Sequence, residues 1–261
     1  MSGDEMFVLM VCLVIGAVRW GHWYWRLLSL PQGGAAARWL GVAPVVFLLM
    51  LFGVLLRWSS QDVRSDPTYL FFYECMGVAW VGLGVWLCGL MGISARDDVA
   101  ERRNEAAGWA IGGAIGGITA CFAGGNVGDG PGWWVVVFCA VLSTGALFVS
   151  WGVVQEVTGA SDSITIDHDV ASGVRLGGVL LASGLILGRA VAGNWVSADA
   201  TMSDFARLGW PVLVLVMAES ILGRQFRPTP EVPRVPLVWG FGPAVGYLVF
   251  ALAVLVVEGA A

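Results

Sequence analysis

The sequence predicts an all-α polytopic membrane protein with about eight transmembrane helices and a central parallel tandem repeat of two-helix units. Three observations predict this fold. The 261 residues have a mean hydropathy of +0.78, with 57% hydrophobic and only 13% charged residues, a composition outside the range of soluble globular domains. Apolar runs of roughly 18 to 25 residues alternate with short polar segments, and helices of that length span the hydrocarbon core. A pattern of residues also returns after 65 positions.

The apolar runs predict helices because a backbone inside the bilayer must satisfy its own hydrogen bonds. The eight predicted helices cover residues 6–25, 39–56, 69–93, 106–123, 133–154, 170–192, 205–222 and 237–257. The first contains Arg19 and a cluster of aromatic residues, and the seventh is short and contains Pro211 and Glu219. Tryptophans at the helix ends fit the aromatic belt at the membrane surface. The bilayer is therefore the first expected partner.

The distribution of arginine predicts the orientation, since all fourteen Lys and Arg positions are Arg. With the N-terminus outside, nine fall on the inner side: Arg19, Arg26, Arg38, Arg96, Arg102, Arg103, Arg224, Arg227 and Arg234. Three fall on the outer side: Arg57, Arg64 and Arg207. Because positive charge concentrates in inner loops, both termini are predicted to lie outside.

The repeat organises the centre of the chain. Residues 103–113 return, altered, as residues 168–178, and each copy opens a glycine-rich helix. Each unit contains two helices and so returns the chain to the same side, which predicts parallel units related by an axis along the membrane normal. The predicted segments are an N-terminal helix pair at 1–68, repeat units at 69–131 and 132–195, and a C-terminal helix pair at 196–261.

Two kinds of residue in the repeat have structural interpretations. Asn104 and Asp169 stand where the second helix of each unit begins, and both residue types are preferred N-caps. Small residues at a spacing of four allow two helix backbones to approach closely in lipid. The glycines predicted to pack in this way are Gly108, Gly112, Gly116, Gly173 and Gly177, with Gly113 and Gly117 beside them. The fourth and sixth helices are expected to pack together, or to pack across an oligomer interface.

The motif resembles that of a known group of proteins. Residues 104–107, Asn-Glu-Ala-Ala, and more loosely residues 169–172, Asp-Val-Ala-Ser, are similar to the Gly-Asn-x-Ala-Ala-Ala-type motif of the YjfL-like family of small bacterial inner-membrane proteins. The resemblance covers roughly residues 69–195 and implies tandem two-helix units in the bacterial inner membrane. The motif's Gly is Arg103 in one copy and His168 in the other. The family's role is uncharacterised, so the resemblance implies no activity.

Four ionisable residues fall within predicted helices, where charge is costly and marks candidate sites. They are Glu74, Arg175, Arg189 and Glu219. Arg175 and Arg189 lie near helix ends and could extend to the interface. Structural pairing or interfacial placement is favoured over an ion path, with Glu74 and Arg189 as the geometrically better pair because both should lie toward the outside.

The sequence contains none of the common catalytic or nucleotide-binding motifs. His168 between Asp167 and Asp169 is a weak metal pattern, since adjacent residues seldom converge on one ion; a solvated, helix-capping surface is expected instead. No basic run indicates nucleic acid. We therefore expect no catalytic residues, no metal and no cofactor.

Two functions remain open. The first is a structural or interaction component of a membrane assembly, packed through the glycine-rich helices, with a second copy or another membrane protein as partner. The alternative is a channel or transporter for an ion or small solute, with its pathway near the repeat axis. The direction in which the intramembrane charges point distinguishes them.

Overall fold

The structure, a computed structural model, describes residues 1–29 and 35–259, except for the side chains of residues 26–29 and 35–38. The side chains of Arg26 and Arg38, which were counted for the orientation, lie outside the described residues. The described residues form eleven α-helices and no β-strand. These are α1 Gly3–Ser29, α2 Ala35–Trp58, α3 Gln61–Ser65, α4 Pro67–Leu87, α5 Glu105–Gly124, α6 Trp133–Thr158, α7 Ala160–Thr165, α8 Val170–Ala190, α9 Ala198–Gly209, α10 Pro211–Gln225 and α11 Val238–Gly259.

Between α4 and α5 the chain forms two further helical segments. A 3₁₀ turn at Cys88–Met91 prolongs α4, and a π-helical segment at Ala95–Glu101 follows it. The predicted polar connectors before α5 and α8 therefore contain regular structure, the second in the form of α7.

Seven of the described helices are long and apolar enough to cross a membrane, and the pair α9 and α10 makes an eighth if it is counted as one span. The all-α membrane fold class is thus confirmed. The seventh predicted helix is wrong as one straight helix over 205–222, because the chain bends by 43° between α9 and α10. Pro211 begins α10 and lacks the N–H that a continuous helix would need. The orientation of the termini stays a prediction.

Helices α5 and α8 form the centre of the molecule. Each is 83% buried over its span, whereas the span of α1 is 6% buried. They run in the same direction, since Gly173 lies against Ala106 near both N-termini and Gly188 lies against Ala120 toward both C-termini. We call the side of the molecule where α5 and α8 begin the cap face, and the other side the opposite face.

The contact between α5 and α8 is made by backbone atoms. A Cβ atom at Gly113 would overlap the backbone of Gly177, and one at Gly177 would overlap the carbonyl of Trp109. At Gly117 a Cβ would lie 2.5 Å from the carbonyl oxygen of Leu180, closer than real Cβ atoms approach. We call this line of contacts the glycine seam. Only residues without a side chain can occupy it at this helix separation.

The predicted packing glycines of α5 do not all face α8. A Cβ at Gly112 would lie 2.7 Å from Nε1 of Trp39, so Gly112 faces α2. A Cβ at Gly116 would lie 2.7 Å from both the ring of Phe47 in α2 and Cδ1 of Leu181 in α8, so Gly116 faces both helices. Gly108 is buried within the same helix. The α5 glycines of the seam are the neighbouring Gly113 and Gly117, because one step along a helix rotates the contact direction by about 100°.

The outer helices complete a row across the centre. On the α8 side, a Cβ at Gly178 would lie 2.5 Å from Cβ of Ala244 in α11. A Cβ at Gly240 of α11 would lie 2.7 Å from Cα of Ala171. The row therefore reads α2, α5, α8, α11, with both repeat-motif helices covered on their outer sides.

Candidate functional site

The two predicted capping residues begin the central helices and also bind distant chain segments. Oδ1 of Asn104 accepts a hydrogen bond from the N–H of Ala107 at 3.2 Å, and Nδ2 of Asn104 donates to the carbonyl of Ile164 at 2.6 Å. The carboxylate of Asp169 accepts from the N–H of Ser172 at 2.8 Å and from the N–H of Val235 at 3.1 Å. Each side chain therefore fixes a helix start and a neighbouring connector together.

The expectation of a solvated, helix-capping surface around His168 is wrong for Asp169. Asn104, Asp169 and Asp98 are buried. Asp98 accepts from the N–H of Ser94 at 2.7 Å and from Arg102 at 3.0 Å. Burial is tolerated because every one of these polar groups has partners. Within the described part of the chain, no group of three His, Cys, Asp or Glu residues is arranged to hold a metal ion.

The residues directly before the two caps share an uncommon backbone conformation. Arg103 has a φ of 56° and His168 a φ of 54°, and they are the two described non-glycine residues with positive φ. The same 65-residue spacing separates Gly128 and Gly193, whose φ values are 98° and 140°. Left-handed backbone favours glycine, which is the residue that the resembled motif has before its Asn.

The most deeply buried charges form a network near the cap face. Arg175 of α8 and Glu219 of α10 have side chains only 2% and 1% exposed, and Nε of Arg175 lies 2.8 Å from Oε1 of Glu219. The hydroxyl of Tyr247 in α11 donates to the second carboxylate oxygen at 2.9 Å. Both oxygens of Glu219 thus have partners.

Arg175 also holds the ends of two helices. Its Nη1 donates to the carbonyl of Trp239 at 3.2 Å, and its Nη2 donates to the carbonyl of Phe226 at 3.3 Å and to the hydroxyl of Ser172 at 3.5 Å. Phe226 and Trp239 stack with ring centroids 3.8 Å apart. One guanidinium therefore joins α8 to the end of α10 and the start of α11.

This network corrects two expectations. Arg175 does not extend to the membrane surface but lies inside the helix bundle. Glu74 and Arg189 do not pair: Nη2 of Arg189 donates to the carbonyl of Glu258 at 2.8 Å, and one buried oxygen of Glu74 has no hydrogen-bond partner. The sequence did contain a signal for the real pair, since Arg175 and Glu219 are two of the four ionisable residues within predicted helices.

Two cavities lie near the opposite face. One, of about 170 Å³, lies where the loops after α5 and α8 meet, and Asn126 and Asn194 line it. A larger cleft of about 750 Å³ flanks the glycine seam between α2 and α11, and Arg189 is the one charged residue among its described lining. Glu74 lines neither of them.

The central half of the chain is similar to a known family. Residues 62–191 match the model of DUF350, Domain of Unknown Function. The match extends from α3 through α8 and includes the glycine seam, the two caps and Arg175, while α1, α2 and the helices after α8 lie outside it. No curated protein and no solved structure matches the chain. The chain is thus a multi-helix membrane protein whose central residues are similar to a domain of unknown function.

Proposed function

We propose that this protein is a non-enzymatic structural or interaction component of a membrane assembly in the bacterial inner membrane. The observation that carries the proposal is the pairing of the buried charges with one another. A second copy of the chain or another membrane protein is the expected partner, and no cofactor is required.

The geometry of the charges supports a structural role. Arg175 and Glu219 make an ion pair of 2.8 Å and their remaining donors and acceptors bind Tyr247 and backbone carbonyls. Intramembrane charges of transporters contact the ion or substrate, and either member of this pair could do so only by exchanging its present partner. Here the exchange would leave a buried charge without compensation, which costs several kcal/mol.

The geometry of the repeat axis supports the same role. The backbones of α5 and α8 are in contact at Gly113, Gly117 and Gly177. A pathway along that axis would need the two helices to separate and would expose their backbones to water or lipid. A packed seam of small residues is instead the usual device for holding membrane helices together.

One observation favours the alternative, a channel or transporter. A carboxylate oxygen of Glu74 is buried without a hydrogen-bond partner, and Arg189 lines the 750 Å³ cleft. Ionisable groups of this kind line ion paths in other membrane proteins. In this alternative Arg189 would contact the solute in the cleft beside the glycine seam, and Glu74, which lies outside that cleft, would bind an ion elsewhere along the path.

A flux assay and an assembly assay test the proposal together. The purified protein is reconstituted in vesicles with a proton or K⁺ gradient, beside protein-free vesicles and the Glu74→Gln variant. We expect no flux above that of protein-free vesicles, and a complex larger than the 27.6 kDa chain after mild extraction from native membranes. Flux that the Glu74→Gln variant abolishes would replace the proposal with the alternative, and a chain that extracts only as a monomer would contradict an assembly role.

A further inference from the structure

Arg19 is a charged residue within a membrane span that has no acidic partner among the described residues. It lies on α1, beside Gly82 of α4, and its Nε donates to the carbonyl of Gly82 at 3.4 Å. Its guanidinium lies 5.8 Å from the ring centroid of Trp86. A carbonyl and an aromatic face do not neutralise a full positive charge, and an unpaired cation at membrane depth is costly.

A groove opens beside this charge at the cap-face end of α1 and α4. Its volume is about 490 Å³, and its lining comprises Arg19, His22 and Trp23 of α1, residues from the end of α4, and residues 94–97 and 100. The lipid-facing side of the groove is apolar, because Trp86 and Leu90 are 54% and 70% exposed. The groove therefore offers polar groups at one end and apolar surface at the other.

Arg19 is the arginine of the groove lining that has no carboxylate within salt-bridge distance among the described residues. Arg96 lies 3.3 Å from carboxylate oxygens of both Asp97 and Glu101, so its charge is already matched. The carboxylate of Asp97 also lines the groove, but its salt bridge is with Arg96 and not with Arg19. An anion that enters the groove would meet Arg19 without displacing an existing ion pair.

We propose that this groove binds the phosphate headgroup of an anionic phospholipid, with the phosphate on Arg19, Trp86 and Leu90 beside the headgroup, and the acyl chains directed along α1 and α4 toward the opposite face. A phosphate accepts charge-assisted hydrogen bonds from a guanidinium, and tryptophan is favoured at headgroup depth. A zwitterionic lipid carries a cation in its own headgroup, which would lie near Arg19 and weaken the attraction between the lipid and the groove. The site joins α1, which lies outside the family match, to α4, which lies inside it.

Native mass spectrometry of the purified full-length protein with added phosphatidylglycerol or phosphatidylcholine tests the site. We expect the protein to retain phosphatidylglycerol in preference to phosphatidylcholine. Arg19→Gln should weaken phosphatidylglycerol binding roughly ten-fold, the effect of losing one charge-assisted contact, and Arg19→Lys should restore part of it. Arg64→Gln is the matched control, because it removes an exposed arginine just before α4, at the opposite face, and should leave binding unchanged.

A second variant keeps the test independent of the charge. A Cβ at Gly89, which lines the groove, would meet no atom within 4 Å, so Gly89→Leu should fold and should also lower phosphatidylglycerol binding by filling the space. Equal binding by the wild type and both variants would overturn the proposal. Displacement of the lipid by inorganic phosphate at equal concentration would reassign the site to a free anion. These outcomes do not depend on whether the protein transports or assembles.

Discussion

At the scale of single residues, Arg103 and His168 carry the clearest sign of strain. Both hold left-handed backbone directly before a helix cap, with φ values of 56° and 54°. A side chain in this conformation costs on the order of 1 kcal/mol, since its Cβ crowds the following carbonyl. The buried caps Asn104 and Asp169 impose the conformation, because each must reach its own helix start and a distant segment at once.

Replacing either residue by glycine should therefore stabilise the protein. We expect Arg103→Gly and His168→Gly each to raise the free energy of unfolding by about 0.5 to 1 kcal/mol, the relief of strain being partly offset by the flexibility of glycine in the unfolded chain. Thermal unfolding in detergent measures the change. Arg103→Ala is the control, because it removes the charge and keeps the Cβ. An equal gain from alanine would show that strain is not the cause.

At the scale of helices, the glycine seam determines how closely α5 and α8 pack. Gly177 lies against the carbonyl of Trp109 and Gly113 against Gly177 itself. Backbone atoms cannot move aside as a flexible side chain can. Seam glycines and the glycines that face α2 should therefore differ in their tolerance of substitution.

The variant Gly177→Leu should destabilise the protein by at least about 3 kcal/mol, because the new side chain must push two helices apart. Gly112→Leu should cost less, since it meets the side chain of Trp39. Gly145→Leu is the matched control: a Cβ there meets nothing within 4 Å, and leaving glycine in a helix gains up to about 1 kcal/mol. Thermal unfolding measures the stability of the three variants. An equal loss of stability for Gly177→Leu and Gly145→Leu would contradict the predicted role of the glycine seam in packing α5 against α8.

At the scale of the whole molecule, Arg175 attaches the C-terminal helices to the part that matches the family. Arg175 lies within the match, whereas Glu219, Tyr247 and Trp239 lie beyond it. The position 65 residues earlier is Ala110, so the first repeat unit has no equivalent charge. The attachment of α10 and α11 through a buried charge is therefore specific to α8.

Breaking this attachment should be strongly destabilising. Glu219→Ala leaves the Arg175 charge buried and unpaired, which is expected to cost about 3 to 5 kcal/mol. The double variant Arg175→Met with Glu219→Leu should recover most of that loss, because two apolar side chains carry no charge to compensate. Tyr247→Phe removes one hydrogen bond to a charged group and should cost about 1.5 to 3 kcal/mol. Thermal unfolding or proteolysis measures the stability of these variants. A double variant as unstable as Glu219→Ala would contradict the uncompensated charge as the cause of the loss.

The sequence by itself determined the class of fold, because hydropathy over about twenty residues and backbone hydrogen bonding leave the bilayer few alternatives to helices. It also indicated the starts of α5 and α8, since capping is local: Asn104 and Asp169 need only the N–H groups of the next turn. The bend between α9 and α10 could also be predicted from the sequence, because Pro211 interrupts helix hydrogen bonding locally.

Only the tertiary structure decided which residues meet across helices. Small differences in helix rotation put Gly113 and Gly117 against the backbone of α8, turned Gly112 toward α2, and left Gly116 between side chains of both helices. The pairing of Arg175 with Glu219, 44 residues away, depends on the packing of α8, α10 and α11 and not on any local pattern. The groove at Arg19 likewise exists only because α1 lies along α4. Contacts between distant segments depend on helix rotation and depth, which hydropathy and spacing do not specify.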